Sequence, residues 1–488
     1  MKFSFDSVAH LYKGLYYNLP QPMKSLLGTI YGSIPIEKRY GPLYTEYLER
    51  IRRYESADLS YQEEYLFLQV QKTLRFAQKH IPFHQKRFAE YGVHADDFKT
   101  LQDLKKFPTM TKEDIKKELK SLYTEVEEKA VAYYSGGSTS SPTKFYHSLY
   151  TSRAKHKAYS VYTLSQIGYK LRDRTLLLKG REVVDIKRDI YWDYEPVDNV
   201  LNVTSSYILT DKFPKIYAAA KKFAPKFIFG YPSAVIDFMF ASQSAEYSPL
   251  KIDGIILASE SVTQEQISML KAYYGDIPVF VDYGHTERVV GAYKIDNDAY
   301  RFVGAYGVAR NVAGEIVGTS LDNFVMPFIN YKTGDEVSGE ITYLPDTDIM
   351  LRAAMIKGRT QDYLVTYDYR LIPLTTLYVG HHLPAEVVMN LQYRQEEAGR
   401  VRVILERGRT TISVDQILKG LKSMVPEGIF FEIIITDRIE KTARGKRVVC
   451  VQDLDIGAIK AMHGQKILQK TKRSEKRPDD TNRIVSEL

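Results

Sequence analysis

Between Phe227 and Glu287, three short strand-like runs alternate with segments long enough for a crossover helix: Phe227-Ile228-Phe229, Gly254-Ile-Ile-Leu257 and Pro278-Val-Phe-Val281. That βαβαβ rhythm calls for a parallel sheet. Each run empties into a polar corner: Gly230-Tyr231-Pro232-Ser233, Ala258-Ser259-Glu260-Ser261, and Asp282-Tyr283-Gly284-His285-Thr286-Glu287. In a parallel sheet such corners share one edge, outside the carboxyl ends of the strands, where open α/β sheets bind ligands.

The rest of the chain sets the frame. At 488 residues it exceeds one ordinary core, so two or three domains are expected. A single cysteine, Cys450, rules out an intrachain disulfide and a cysteine-based zinc site, which fits a reducing compartment and a cytoplasmic protein. Met1–Pro20 is broken by Asp6, His10 and Lys13, and no later run reads as a signal or spanning segment. The formal charge of +8 comes from Lys and Arg interleaved with Asp and Glu, the pattern of a solvated surface. The 38 tyrosines carry no nucleic-acid-binding signature, so no nucleic-acid partner is expected. Residues 1–58 are amphipathic and aromatic, with Leu11, Tyr12, Leu15 and Tyr16 on one face. Core packing accounts for them; Lys13 and Lys24 beside apolar side chains are also compatible with a peripheral membrane contact.

Along the chain, Ser60 and Glu63 suggest a capping box for a helix from about Tyr61 to Pro82, and Thr111 with Asp114 opens another. The stretch Tyr134-Ser-Gly-Gly-Ser-Thr-Ser-Ser-Pro-Thr-Lys144 offers backbone N–H groups and hydroxyls that could wrap a polyphosphate, although it is not a Walker loop and surface loops share its composition. Thr175–Leu178 reads as a buried strand and Phe213–Phe223 as a helix. From Arg301 to Asp335 the pattern turns β-rich, predicting a second sheet or subdomain, and 357–362 reads as a linker. Beyond it, a helix at Ala385–Glu397, strands at Val401–Leu405 and Phe431–Ile435, and a helix at Asp415–Met424 predict a small α+β domain.

Taken in order, Ser135–Thr143, Tyr283-Gly-His-Thr-Glu287, Tyr331-Lys-Thr-Gly-Asp335, Gly358-Arg359 with Asp362, and Thr442-Ala-Arg-Gly-Lys446 resemble the core motifs of adenylate-forming enzymes. Within that superfamily, Lys79-His-Ile-Pro82, Phe107-Pro-Thr-Met-Thr-Lys-Glu-Asp114, Gly230-Tyr-Pro-Ser233 and Gly314-Glu-Ile-Val-Gly-Thr-Ser-Leu321 are most similar to the phenylacetate–CoA ligase-like branch that includes capsule-biosynthesis CapK proteins. The resemblance implies an α/β fold: a large adenylation domain of parallel-rich sheets, helices and a β-rich subdomain at 59–359, and a small α+β lid at 360–462. An N-terminal helical extension at 1–58 and a charged, disordered tail at 463–488 flank them.

The resemblance also implies ATP-dependent conversion of a carboxylic acid to acyl-AMP with release of pyrophosphate, then transfer to an acceptor in surface polysaccharide biosynthesis. Ser135, Gly136, Gly137, Ser138 and Thr139 would hold the outer phosphates, Thr286 would touch the α-phosphate, and Glu287 would bind Mg²⁺. Ser259, Glu260, Ser261, Asp282, Tyr283 and Gly284 would frame the adenine; Asp335 would accept the ribose hydroxyls, and Arg359 would help hold the nucleotide. Gly230, Tyr231 and His285 would line the acid, Gln361 would sit at the hinge, and Lys446 would bridge the acid and α-phosphate. The acceptor would be an amine or hydroxyl, sugar-linked or not; a CoA thioester and a non-catalytic scaffold of the same fold are the alternatives. Singly, Glu287, Asp335 and Lys446 also read as surface or turn residues. The chain departs from the family pattern at Ser140 and Ser141 in the phosphate loop, at Asn330, and at Gln361 and Asp368, the last standing where the thiol tunnel usually has glycine.

Overall fold

The computed structural model describes residues 16, 19–134, 143–179, 188–204, 207–208, 211–359, 363–369, 371–373, 391–406, 413–424, 428–440, 448, 450–456 and 458–459. They fall into two compact units, one within Met1–Arg359 and Glu440–Val448, the other within Thr360–Ile439 and Val449–Leu488.

In the first unit, the helices Ile36–Tyr40, Pro42–Ser56, Leu59–His80 and Pro82–Glu90 bury Tyr44, Tyr54, Leu66, Leu74 and Phe88 in one core with Phe280, from a strand, and Phe328, from a loop between strands. Fully burying a side chain of this size stabilises the fold by about 2–3 kcal/mol. The long helix begins two residues earlier than its expected Ser60/Glu63 cap. Asp58 is the N-cap and accepts from the Tyr61 backbone N–H at 2.9 Å, because its carboxylate meets a first-turn donor before Ser60 can. The Thr111/Asp114 capping box forms as expected: the Asp114 carboxylate accepts from the Thr111 N–H at 2.7 Å, and Thr111 Oγ1 accepts from the Asp114 N–H at 3.2 Å. The helix Gln21–Ser33 leaves Met23, Leu26, Leu27 and Ile30 exposed.

An antiparallel pair, β1 (Ala130–Tyr134) and β2 (Lys144–Ser148), stands on either side of the Gly/Ser-rich stretch in the sequence. Strands β3 (Thr175–Lys179), β4 (Trp192–Glu195), β5 (Val200–Thr204), β6 (Phe227–Gly230), β7 (Gly254–Ala258) and β8 (Val279–Gly284) follow. Next come β9 (Gly291–Ile295), β10 (Tyr300–Phe302), β11 (Gly307–Val312), β12 (Glu315–Ser320), β13 (Tyr331–Tyr343) and β14 (Met350–Arg359). From β3 onward all twelve belong to one sheet, in the order β11-β12-β13-β14-β10-β9-β8-β7-β6-β3-β5-β4. The second sheet expected after Arg301 is therefore a continuation of the first, because β9 turns back antiparallel along β8 with Asp282 opposite Tyr293. The linker expected from Lys357 starts later, since Lys357–Arg359 pair with Asp335 and Glu336 as the end of β14.

Strands β6, β7 and β8 run parallel in the register Phe229↔Ile256 and Leu257↔Val281. Helices cover them on both faces, so Ile255, Leu257 and Val279 are fully buried and the strands read as continuous apolar runs. Strand β8 is the switch: parallel to β7 and antiparallel to β9.

The second unit holds β15 (Tyr363–Val365), β16 (Leu371–Pro373), β17 (Leu391–Glu397), β18 (Arg400–Glu406), β19 (Phe430–Thr436) and β20 (Cys450–Gln452), with the helix Val414–Met424. Its four-stranded sheet has the order β19-β18-β17-β20. The helix expected to run to Glu397 is corrected here: 391–397 is a strand. Tyr393 and Gln395 are buried while Arg394 and Glu396 are exposed, and that alternation favours a sheet. Residues 374–390, where that helix was to begin, lie outside the described residues. Among the described residues no helix is long and apolar enough to cross a membrane.

Candidate active site

The corner that follows β8 is held from three directions. Tyr159, on the helix Thr151–Ser165, places its hydroxyl 3.2 Å from both Asp282 Oδ1 and Ala292 O. His147, on β2, lies 2.9 Å from the Thr286 carbonyl through Nε2. Burial, reinforced by the Arg288 charge, pushes its imidazole down to about 3, so the ring is neutral and Nε2–H donates. Arg288 has a left-handed backbone (φ 54°) and donates Nη1 to Ser152 O at 3.2 Å and Oγ at 3.0 Å. Pinned at both flanks, the corner leaves Gly284 and Thr286 exposed. A Cβ built on Gly284 would meet nothing within 4 Å, so there is open space above the backbone at this point of the corner.

Strand β13 completes the arrangement. The Tyr283 hydroxyl donates to Asp335 Oδ2 at 2.9 Å, and the Tyr331 hydroxyl donates to Glu287 Oε1 at 3.2 Å. Each carboxylate is therefore held by a tyrosine from the opposite segment. Glu287 is only 3% exposed, and a buried carboxylate needs such a donor. Asp335 sits where the β13–β14 register shifts, at a bulge that re-aims its side chain. His285 stacks on Tyr331 with ring centroids 6.4 Å apart and 22° between planes.

The other corners are more structural. Glu260 accepts from the Ser233 backbone N–H at 3.0 Å and from its hydroxyl at 3.1 Å, which engages it at the start of the helix Pro232–Ser244. Ser259 has φ 71°, a conformation that costs a non-glycine residue about 1 kcal/mol or more and persists where the surroundings enforce it. Gly230 has a packing reason to be glycine: a Cβ there would lie 2.7 Å from Leu178 O. Tyr231 is buried and donates its backbone N–H to the same carbonyl. Ser135, Gly136, Gly137, Ser138, Thr139, Gln361 and Lys446 lie outside the described residues, as does the Arg359 side chain. Of the expected residues, the structure thus brings together Asp282, Tyr283, Gly284, His285, Thr286, Glu287 and Asp335. The sequence reading missed Tyr331 as a site residue, although it stands in the Tyr331–Asp335 motif, and gave no sign of Tyr159 or His147.

Two departures from the family pattern acquire a physical context. Asn330 is buried with φ 46°; its Nδ2 donates to Leu104 O at 2.8 Å and Phe107 O at 2.9 Å, while its Oδ1 accepts from Arg310 at 3.0 Å. It ties the segment 101–107 to Arg310 of β11, and the accepting half of that role is one a cation cannot fill. Asp368 lies on the exposed turn between β15 and β16 and accepts from the Thr366 hydroxyl.

No family model matches the chain. Protein CapK of Staphylococcus aureus is 22% identical over 457 residues, spanning 90% of this chain and 99% of that protein. The phenylacetate-coenzyme A ligase of Aromatoleum evansii is 26% identical over 357 residues, 64% of this chain and 74% of that enzyme. Among solved structures, 2-hydroxyisobutyryl-CoA ligase in the postadenylation state with R3-HIB-AMP superposes with a TM-score of 0.61 at 14% identity, covering 84% of this chain and 93% of that one. That last likeness is one of fold.

Proposed function

Because the chain belongs to the adenylate-forming superfamily, in the branch of the phenylacetate–CoA ligases and CapK, we propose that it activates a carboxylic acid with ATP and passes the acyl group to an amine or hydroxyl acceptor in surface polysaccharide biosynthesis. The chain is an ATP-dependent ligase. The observation that carries the proposal is the pair of carboxylates, Glu287 and Asp335, held across the switch strand by Tyr331 and Tyr283.

In the proposed reaction a carboxylate oxygen attacks the α-phosphorus, the bond to the oxygen bridging the β-phosphorus breaks, and pyrophosphate leaves. The acceptor nitrogen or oxygen then attacks the acyl carbon, loses its proton to solvent and expels AMP. The first step is opposed by repulsion between anions, which positioned donors and cations reduce. Thr286, exposed at the corner, would meet the α-phosphate, the Asp335 carboxylate would accept the ribose hydroxyls, and the Ser259–Ser261 corner would frame the base. Among the described residues no cluster of three or more acidic, His or Cys side chains forms a metal site. The donor set fits Mg²⁺ held by one carboxylate, Glu287, with phosphate oxygens as its remaining partners. When bound, Mg²⁺ neutralises phosphate charge.

Ser135–Thr139 as the phosphate cradle, Arg359 against the nucleotide, Lys446 as the bridging cation and Gln361 as the hinge between adenylation and transfer rest on the resemblance and belong to the proposal. So do a cytoplasmic location and a peripheral membrane contact, for which the exposed Met23, Leu26, Leu27 and Ile30 offer a surface. The test is ATP–pyrophosphate exchange over aryl, fatty, hydroxy and amino acids, repeated with Lys446→Ala. That variant should lose about 10²–10³-fold in exchange while binding ATP normally in calorimetry. Near-normal exchange would remove the assignment.

A CoA acceptor is the second reading, favoured by the relatives named as CoA ligases. Asp368 in place of glycine adds bulk and negative charge, which favours an amine over a phosphate-bearing thiol. AMP release with CoA, compared with amino sugars, decides between them; efficient thioester formation would favour CoA.

A further inference from the structure

The turn that follows β8 uses some of its backbone groups and leaves others open. It is closed by the Arg288 N–H, which donates to the His285 carbonyl at 2.9 Å, and the Thr286 carbonyl accepts from His147 Nε2 at 2.9 Å. Among the described residues, neither the Thr286 N–H nor the Glu287 N–H meets an acceptor. A backbone donor without a protein partner calls for water or a ligand.

His147 decides where one of these donors points. Its ring is 1% exposed and packs edge-on with Tyr133 and Phe145, at centroid distances of 4.8 and 5.2 Å. A carbonyl only accepts, so Nε2 carries the proton, and the Thr286 carbonyl is turned toward the buried imidazole. The peptide is trans, and in a trans peptide C=O and N–H point in opposite directions. The Glu287 N–H is therefore aimed away from the interior, while Gly284 and Thr286 beside it are exposed. Water could satisfy the carbonyl of a surface turn; a buried donor also fixes the rotation of the peptide before any ligand arrives. Arg288 holds the far flank, through Ser152 and with its guanidinium 5.4 Å from the Tyr133 ring. A fixed outward donor suits an anionic oxygen, whereas a cation or an alkyl group would leave it unmet.

We propose that the backbone N–H of Glu287 is a catalytic donor to a non-bridging oxygen of the α-phosphate, and that His147 is the positioning residue that aims it. The donor belongs to the backbone, so substitutions of the Glu287 side chain leave it in place. The inference rests on the adenylation reading.

AMP differs from adenosine only in that phosphate, so the ratio of their affinities, measured by calorimetry with no divalent metal added, reads the donors without knowledge of the acid. AMP should bind about 10–100-fold tighter, the scale of hydrogen bonds to a charged group. In His147→Phe, which keeps a ring but has no donor, the ratio should fall by at least about fivefold, and His147→Gln, whose amide can donate, should recover most of it. Being a ratio within one preparation, it does not depend on how much of a variant folds. Should His147→Phe not be recovered, hydrogen–deuterium exchange on the parent chain reads the same donor: AMP, but not adenosine, should slow exchange of the amides in 285–288. Equal affinity for AMP and adenosine, a ratio unchanged by His147→Phe, a loss that His147→Gln does not recover, or amides that AMP slows no more than adenosine does overturns the inference and leaves adenylation standing. Failure of ATP, AMP and adenosine alike to bind overturns the two together.

Discussion

The two halves of the twelve-stranded sheet deliver site residues by different means. In the parallel half, β3 and β5 to β8, the strand ends place the side chains, so every corner reaches one edge whatever its sequence. In the antiparallel half, β9 to β14, position depends on register: Asp335 reaches Tyr283 because β13 shifts against β14 at that residue. Topology places the first group, and a local irregularity places the second. The tyrosines that cross between the halves make them one site.

The largest expected effect comes from the parallel half. Glu287→Gln should lower the rate of acyl-AMP formation by about 10³-fold, roughly 4 kcal/mol, if the corner holds the phosphate-bound metal. Pyrophosphate exchange within a few-fold of the parent would place the metal elsewhere and break the comparison at its base.

Acidification probes both halves through buried histidines. His84 lies 3.0 Å from the Pro327 carbonyl beside the antiparallel half, and burial pushes it from an ordinary 6.5 to about 4. His147 supports the parallel half's corner and is pushed to about 3. Between pH 6.5 and these values the unfolded chain binds protons that the folded chain does not, so stability present above 6.5 is lost as the pH falls. By pH 4.5 the loss should be about 2–3 kcal/mol per histidine. Urea unfolding at pH 7 and pH 4.5 measures it, with His84→Gln and His147→Gln each reducing the pH dependence by one proton. Unchanged dependence in either variant would mean that its histidine is already protonated in the folded state.

Asp335→Ala tests the register-placed carboxylate. ATP affinity should weaken by about 10–100-fold, the loss of hydrogen bonds to a charged acceptor, while turnover at saturating ATP changes less. Equal affinity in calorimetry would detach Asp335 from the ribose. The smallest effects belong to the crossing tyrosines. Tyr283→Phe and Tyr331→Phe should each cost about 1 kcal/mol, up to tenfold in kcat/KM. In Asp335→Ala the Tyr283→Phe change should become nearly neutral, since the pair acts through one bond; full additivity would show that they act apart.

The sequence alone determined what depends on neighbours in the chain. The apolar runs at 227–229, 254–257 and 278–281 specified parallel strands because both faces of each are buried, and Thr111 with Asp114 specified a helix start because a capping box closes within one turn. The polar corners after those runs, and Asp335 in its motif, were legible for the same reason. Only the tertiary structure decided that the strands after Arg301 extend the first sheet, that 391–397 is a strand, and that Asn330 is a strut. It alone joined Glu287 to Tyr331, 44 positions apart, and Lys155 to Asp322 across the core. Such pairs arise from register, bulges and helix packing, which set angstrom-scale positions through contacts between distant segments. A one-dimensional pattern carries the period of an element, but not which side chain of another element will stand opposite it.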